Sequence, residues 1–154
     1  MLRDIRHVLC PVDFSDWSAE AMKYAALVCK TFGADLTLLH VFEMPAYALP
    51  PPGSTSIEAA SVEESIKQLC AELEQRLATA KQALDTGGRP VVTKLLDGQP
   101  YRTIVDTAEE MKVDLIVMGT QGRTGMQRIL VGSVAERVVR FAPCPVLTVP
   151  KPKS

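Results

Sequence analysis

Apolar positions along the chain fall into two patterns: short apolar-rich runs, and longer stretches where they recur every three or four residues. The runs read as strands, the one over 34–42 with both sheet faces covered, and the periodic stretches as amphipathic helices. Residues 5–12 form the first run. Asp13-Phe14-Ser15-Asp16 is the turn after it, with Ser15 placed to cap a helix. That helix is expected to reach Phe32 with Trp17, Ala21, Tyr24, Ala25, Val28 and Phe32 on its buried face, and Gly33 ends it. Residues 34–42 read as a second strand. Residues 43–60 hold Pro45, Pro50, Pro51, Pro52 and Gly53 and are expected to form neither helix nor strand. They read as a mobile connector, with a functional flap as the alternative.

Ser61-Val62-Glu63-Glu64 has the form of a capping box. After it, Ile66, Leu69, Cys70, Leu73, Leu77, Ala80 and Leu84 make a stripe that suits packing on a sheet better than a coiled coil. Gly87-Gly88 is expected to stop this helix. Residues 90–96 read as a third strand and Asp97-Gly98 as a turn. Pro100 suits the first position of a third helix, whose buried face carries Tyr101, Ile104, Val105, Ala108 and Met111. Residues 113–118 are the most apolar run and are expected at the centre of the sheet. A glycine-rich stretch follows, then a fourth helix from Ser133 to about Phe141 and a last strand over 145–149. Strands alternating with helices imply right-handed crossovers. The fold class is therefore α/β: an open, mostly parallel, five-stranded sheet with helices on both faces, Rossmann-like.

Composition narrows the functions. The 154 residues suit one domain, and 17 Lys+Arg against 18 Asp+Glu leave a net charge of -1. Neither nucleic acid nor an anionic membrane is the expected partner of such a balanced surface, and 5% aromatic content gives little stacking surface for single strands. The longest apolar run, residues 24–29, is far short of the ~18 a spanning helix needs. The first residues lack the form of a secretory signal. Cys10, Cys29, Cys70 and Cys144 are scattered, with no CxxC pair, so they read as core cysteines in a cytoplasmic protein rather than a disulfide frame or zinc site.

The chemistry concentrates in Gly119-Thr120-Gln121-Gly122-Arg123-Thr124-Gly125 and, after Met126 to Val131, in Gly132-Ser133. This stretch joins a strand to a helix, where phosphate sites occur in open α/β sheets. Glycines let backbone N–H groups approach an anion, and the helix N-terminus adds unsatisfied donors and a positive dipole end. There is no GxxxxGK[ST] and no GxGxxG after the first strand, so the nucleotidase P-loop and the dinucleotide fingerprint are both missing. Random placement of the chain's glycines and hydroxyl residues would give the array Gly119-x2-Gly122-x9-Gly132-Ser133 only about 0.003 times.

That array resembles the ATP-binding signature of the universal stress protein family. The resemblance runs over the whole chain, through VLCPVDFS, His40-Val41, DLIVMGTQGRTG and the closing CPVLTVP. It implies a single nucleotide-binding domain over residues 1–154, with ATP in the crevice between the first and fourth strands. Asp13 and the backbone of Pro11 and Val12 would meet the nucleoside, and the Val41 backbone the adenine. Met118 and Gly119 would lie under the ribose and phosphates. Gly122, Arg123, Gly132, Ser133 and Val134 would cradle the phosphate chain, with Mg²⁺ or Mn²⁺ on the phosphates. The glycines read phosphate, which leaves ADP, AMP and cyclic AMP as alternative ligands. The resemblance also implies a homodimer through the last strand, 146–149, which would cover a bare sheet edge.

Each of these residues has a plainer reading. Asp13 is also a common turn residue, Gly122 and Gly125 suit turns, and Gly119 suits a strand-to-loop bend. Ser133-Val134-Ala135-Glu136 has the form of a capping box. Arg123 is either solvated or a forked phosphate donor, and Arg128 reads as solvated. His40 reads as a satisfied core histidine and His7 as a surface residue at a strand end. Met22, Met111, Met118 and Met126 read as filler. Three functions follow: a nucleotide-dependent regulatory or stress-response protein acting on a protein partner, a slow ATPase or phosphotransferase, or a dimeric interaction module with a vestigial site. With no lysine beside the glycines and no second carboxylate, efficient phosphoryl transfer is not expected. No catalytic residue is assigned, and the first reading is favoured.

Overall fold

The computed structural model describes residues 4–44, 46–121 and 131–151, with Tyr47 described in its backbone alone. Strands β1 (His7–Pro11), β2 (Asp35–Phe42), β3 (Val91–Asp97), β4 (Leu115–Gly119) and β5 (Val146–Val149) alternate with helices α1 (Asp16–Phe32), α2 (Ser56–Gln82), α3 (Pro100–Glu110) and α4 (Ser133–Phe141). The sheet order is β3-β2-β1-β4-β5, and neighbouring strands pair in parallel. β1 is the middle strand. β4 lies one place off centre, contrary to the expectation from its apolarity. Its apolar character reflects cover on both faces, since Val117 packs into one core and Ile116 and Met118 into the other.

Side chains alternate along each strand and divide the core in two. On one face, Val8, Cys10, Leu36, Leu38 and Val117 pack with Ala21, Ala25 and Cys29 of α1 and Leu77 of α2. On the other, Leu9, Leu39, Ile116 and Met118 pack with Ile104 and Ala108 of α3 and Ala135 and Val138 of α4.

Ser15 caps α1 as expected, its Oγ accepting from the Ser18 N–H at 3.2 Å, and Gly33 closes the helix at φ 70°. Ala21 and Ala25 are buried and Val28 packs against the core as expected, but the rest of the face differs. Ser18, Ala21, Ala25, Ala26 and Cys29 meet the sheet, while Tyr24 and Phe32 are exposed. Small side chains let the helix approach the strands closely, which a face of aromatic rings would prevent.

α2 begins earlier than expected. Thr55 is its N-cap: Thr55 Oγ1 accepts from the Glu58 N–H at 3.2 Å, and Glu58 Oε2 accepts from the Thr55 N–H at 2.8 Å. Residues 61–64 continue a helix already begun, and the connector from β2 shrinks to 43–55, including a 3-10 turn at Ala46–Ala48. Thr55–Glu58 and Ser61–Glu64 share the box form, and the first, just after the prolines, is the one used. α2 also stops at Gln82, before Gly87-Gly88. Those glycines instead occupy a turn at φ 64° and 82°, where Asp85 accepts from the Gly87 N–H and from Lys30 Nζ. Leu73 and Leu77 of the stripe are buried, but Leu69 is exposed.

Pro100 opens α3 as expected. Ile104 and Ala108 are buried there, joined by Thr107. All four cysteines are free. Burial pushes the Cys29 thiol up to about 11, with nearby Asp35 adding to the rise, and pushes Cys10 higher still. Among the described residues, no helix is long and apolar enough to cross a membrane.

Candidate functional site

The ladder between β1 and β4 is short: Val8 pairs with Leu115 and Leu9 with Ile116. Past that point β1 stays with β2, through Pro11 and Leu39, while β4 stays with β5, through Gly119 and Val149. The two strand ends therefore part. They do so where the chain, having built β2 and β3 on one side of β1, returns to build β4 and β5 on the other. Ligands bind at such a reversal in open α/β sheets. A cavity of about 250 Å³ lies in this crevice, just below the ~300–1,000 Å³ common for small-ligand sites.

The described candidate residues converge on it. Pro11, Val12 and Asp13 come from the end of β1, Met118 and Gly119 from β4, and Val41 from β2. Gly132, Ser133 and Val134 come from the start of α4. Gly122 and Arg123 lie outside the described residues, as do Thr124, Gly125, Met126 and Arg128.

Asp13 is both a turn residue and a wall of the cavity. Its Oδ1 accepts from the Ser15 N–H at 3.0 Å and from Ser15 Oγ at 2.5 Å, an Asx turn that leads into α1. Gly119 has a structural reason of its own. A Cβ there would stand 2.7 Å from Trp17 Cβ and 2.9 Å from the Trp17 carbonyl carbon, so the close approach of α1 demands glycine.

Gly132, not Ser133, is the N-cap of α4, and the capping-box form at 133–136 is not used. The Gly132 N–H donates to the Thr120 carbonyl at 2.6 Å, and its own carbonyl accepts from Glu136 at 2.9 Å. With glycine at the cap, no cap side chain satisfies the first-turn N–H groups. These donors, at the positive end of the helix dipole, stand where Ser133 and Val134 line the cavity.

His40 is the satisfied core histidine expected: it is buried, and its Nδ1 donates to the Val12 carbonyl at 2.6 Å. His7 is half-buried rather than a plain surface residue, its Nε2 lying 2.9 Å from Thr37 Oγ1. Met118 is buried and lines the cavity.

Several lining residues carried no signal in the sequence. Leu39, Pro100, Ile104 and Ala135 supply apolar wall, and Ser18 and Gln121 supply polar groups. Pro100 and Ile104 reach the site because α3 packs over the same face as Leu39 and Met118. Gln121 at least lay within the glycine-rich stretch. Among the described residues lining the cavity, Asp13 is the one charged side chain. Among the described residues, no three or more His, Cys, Asp or Glu gather as a metal site.

The model of the universal stress protein family matches residues 4–150. The chain belongs to the universal stress protein family. The universal stress protein MJ0531 of Methanocaldococcus jannaschii is 42% identical over 149 residues, 96% of this chain and 84% of that one. The solved structure of MJ0577, from the same organism, matches with a TM-score of 0.82 at 30% identity, over 99% of this chain and 100% of that one. A universal stress protein solved in complex with cAMP shares the fold, with a TM-score of 0.66 at 24% identity, over 97% of this chain and 100% of that one.

Proposed function

We propose that this universal stress protein binds an adenine nucleotide, with ATP as the preferred ligand, in the crevice between β1 and β4, and acts as a nucleotide-dependent regulatory protein. The observation that carries this reading is the cavity at the strand-order reversal, closed on one side by a glycine-capped first turn of α4. Its chemistry suits a nucleotide. Leu39, Val41, Pro100 and Ile104 provide an apolar slot for a base. Asp13 beside it is an acceptor for ribose hydroxyls. The first-turn N–H groups of α4 and the Ser133 hydroxyl face the place for phosphate. Gly122 and Arg123 complete the phosphate cradle in this reading, with Mg²⁺ or Mn²⁺ on the phosphates. A fold relative holding cAMP is consistent with it.

Binding rather than rapid turnover is the better reading. A lone carboxylate already engaged by Ser15 is a poor starting point for a base, since phosphoryl transfer needs a positioned nucleophile and charge-neutralising groups. The reading extends to a homodimer. β5 is an edge strand with Leu147 exposed, and a second copy pairing there would cover it.

A thermal-shift titration of nucleotide-free protein with ATP, ADP, AMP and cyclic AMP, with and without Mg²⁺, tests the proposal. Ligand at 100 times its Kd adds ~2.7 kcal/mol and raises Tm by several degrees. A saturable rise, largest with ATP, is the expected result. No shift with any of the four would overturn the reading and leave the interaction module in its place. Gly122→Val should abolish the shift in a folded protein, because its side chain would occupy phosphate space.

A further inference from the structure

Phe14, between Asp13 and the helix cap, has φ 62°, in the left-handed region that bulky residues rarely enter. Such a conformation persists only where the surroundings hold it. Here they do. The Phe14 ring lies 4.7 Å from the His40 ring, tilted by 42°, and the Arg76 guanidinium of α2 sits 4.0 Å from its centroid. His40 in turn donates from Nδ1 to the Val12 carbonyl, while the Val12 N–H donates to Leu39 at 2.8 Å. Asp13 is thus flanked by two anchored neighbours. Val12 is pinned to β2 through its backbone, and Phe14 is pinned through its ring to β2 and α2. The third restraint is the bond from Ser15 to Asp13 Oδ1.

We propose that Phe14 is a positioning residue, which through His40 and Arg76 aims Asp13 into the cavity and ties nucleotide affinity to the seating of α2. This rests on the nucleotide reading and adds to it. Phe14 does not itself line the cavity, so it acts through Asp13. The ring, not the left-handed backbone, is the element that acts, because glycine would adopt that backbone without strain. Arg76 makes the link longer in range: it stands on the helix that follows the proline-rich connector, one residue before the buried Leu77.

The test is ATP binding by titration calorimetry with the full chain, comparing wild type, Phe14→Gly, Phe14→Tyr, Asp13→Ala and the double variant Asp13→Ala/Phe14→Gly. Phe14→Gly should weaken ATP by about tenfold, and that loss should shrink below about twofold when Asp13 is already absent, the mark of coupled residues. Phe14→Tyr keeps the ring and should restore wild-type affinity. Arg76→Gln, an exposed change that leaves the fold intact, should cost about two- to threefold and keeps the proposal testable should Phe14→Gly fail to fold. In the nucleotide-free protein, amide exchange at residues 13–15 should speed up in Phe14→Gly while exchange of the β-sheet amides stays unchanged.

Wild-type affinity in Phe14→Gly, or an equal loss with and without Asp13, would overturn the positioning role and leave the nucleotide reading standing. A wild-type chain that binds none of the four nucleotides would overturn both.

Discussion

α1 and α2 cover the same face of the sheet, yet they are attached in opposite ways. α1 buries alanines, a serine and a cysteine along most of its length and comes so close that Gly119 must be glycine. α2 is ten residues longer and buries only Leu73 and Leu77 among its side chains. Its first half carries Ile57, 80% exposed, whereas Leu77 near its end is 1% exposed. Small residues give a helix many close backbone contacts, while a few large ones make two strong anchors and leave the rest free. The difference matters at the site. α1 starts from the turn that holds Asp13, so its close seating fixes that turn rigidly. α2 meets the turn through Phe14, which carries the Arg76 guanidinium over its ring.

Substitutions can break this contrast. Leu77→Ala should be the most damaging, costing about 3 kcal/mol in urea unfolding, because it empties a filled core position on one of α2's two anchors. Gly119→Ala comes next, at about 1–3 kcal/mol. The new methyl meets Trp17 Cβ and backbone, neither of which is a flexible chain end. If Gly119→Ala proves neutral, the close seating of α1 is wrong.

Thr55→Ala removes the capping box of α2 and should cost about 1 kcal/mol. Helicity lost in that variant, read by circular dichroism, would come from the first turns of α2 and not from the core. Ile57→Ala should change stability by less than about 0.5 kcal/mol, the ordinary result at an exposed position. A larger loss would mean that the first half of α2 is covered in solution.

Alkaline pH sharpens the comparison from α1's side. The Cys29 thiol is raised in the folded state by burial and by Asp35, so the unfolded chain ionises first. Its contribution is complete below pH 9, the ordinary thiol value, and is lost as pH rises from there through about 11. Cys29→Ala should make that part of the stability profile less steep, and the slope that remains belongs to Cys10 of β1, whose thiol burial raises further.

Much of this arrangement was legible in the chain. Ser15, Gly33 and Pro100 mark helix ends by contacts that reach only a few residues. Apolar-rich segments named all five strands, the glycine-rich stretch pointed to a phosphate site at Gly132 and Ser133, and the family resemblance put Pro11, Val12 and Asp13 beside it. Errors arose where two local signals competed. The Thr55–Glu58 and Ser61–Glu64 boxes have one form, and the sequence alone does not say which is used. On α1 the expected face joined Trp17, Tyr24 and Phe32 to Ala21 and Ala25, and the sheet took the alanines while leaving Tyr24 and Phe32 exposed, because closeness of approach outweighed area per side chain.

Local order is set by interactions between near neighbours, so element type, sequence of elements and the residues at their ends are written along the chain. Other features depend on residues brought together from far apart. Trp17 imposes glycine at 119, His40 and Arg76 hold Phe14 in the left-handed region, and Pro100 and Ile104 come to wall the crevice. None of these partners lies within helical or turn spacing of the residue it acts on. Only the packing of helices over a parallel sheet, and the parting of β1 from β4, brings them into contact.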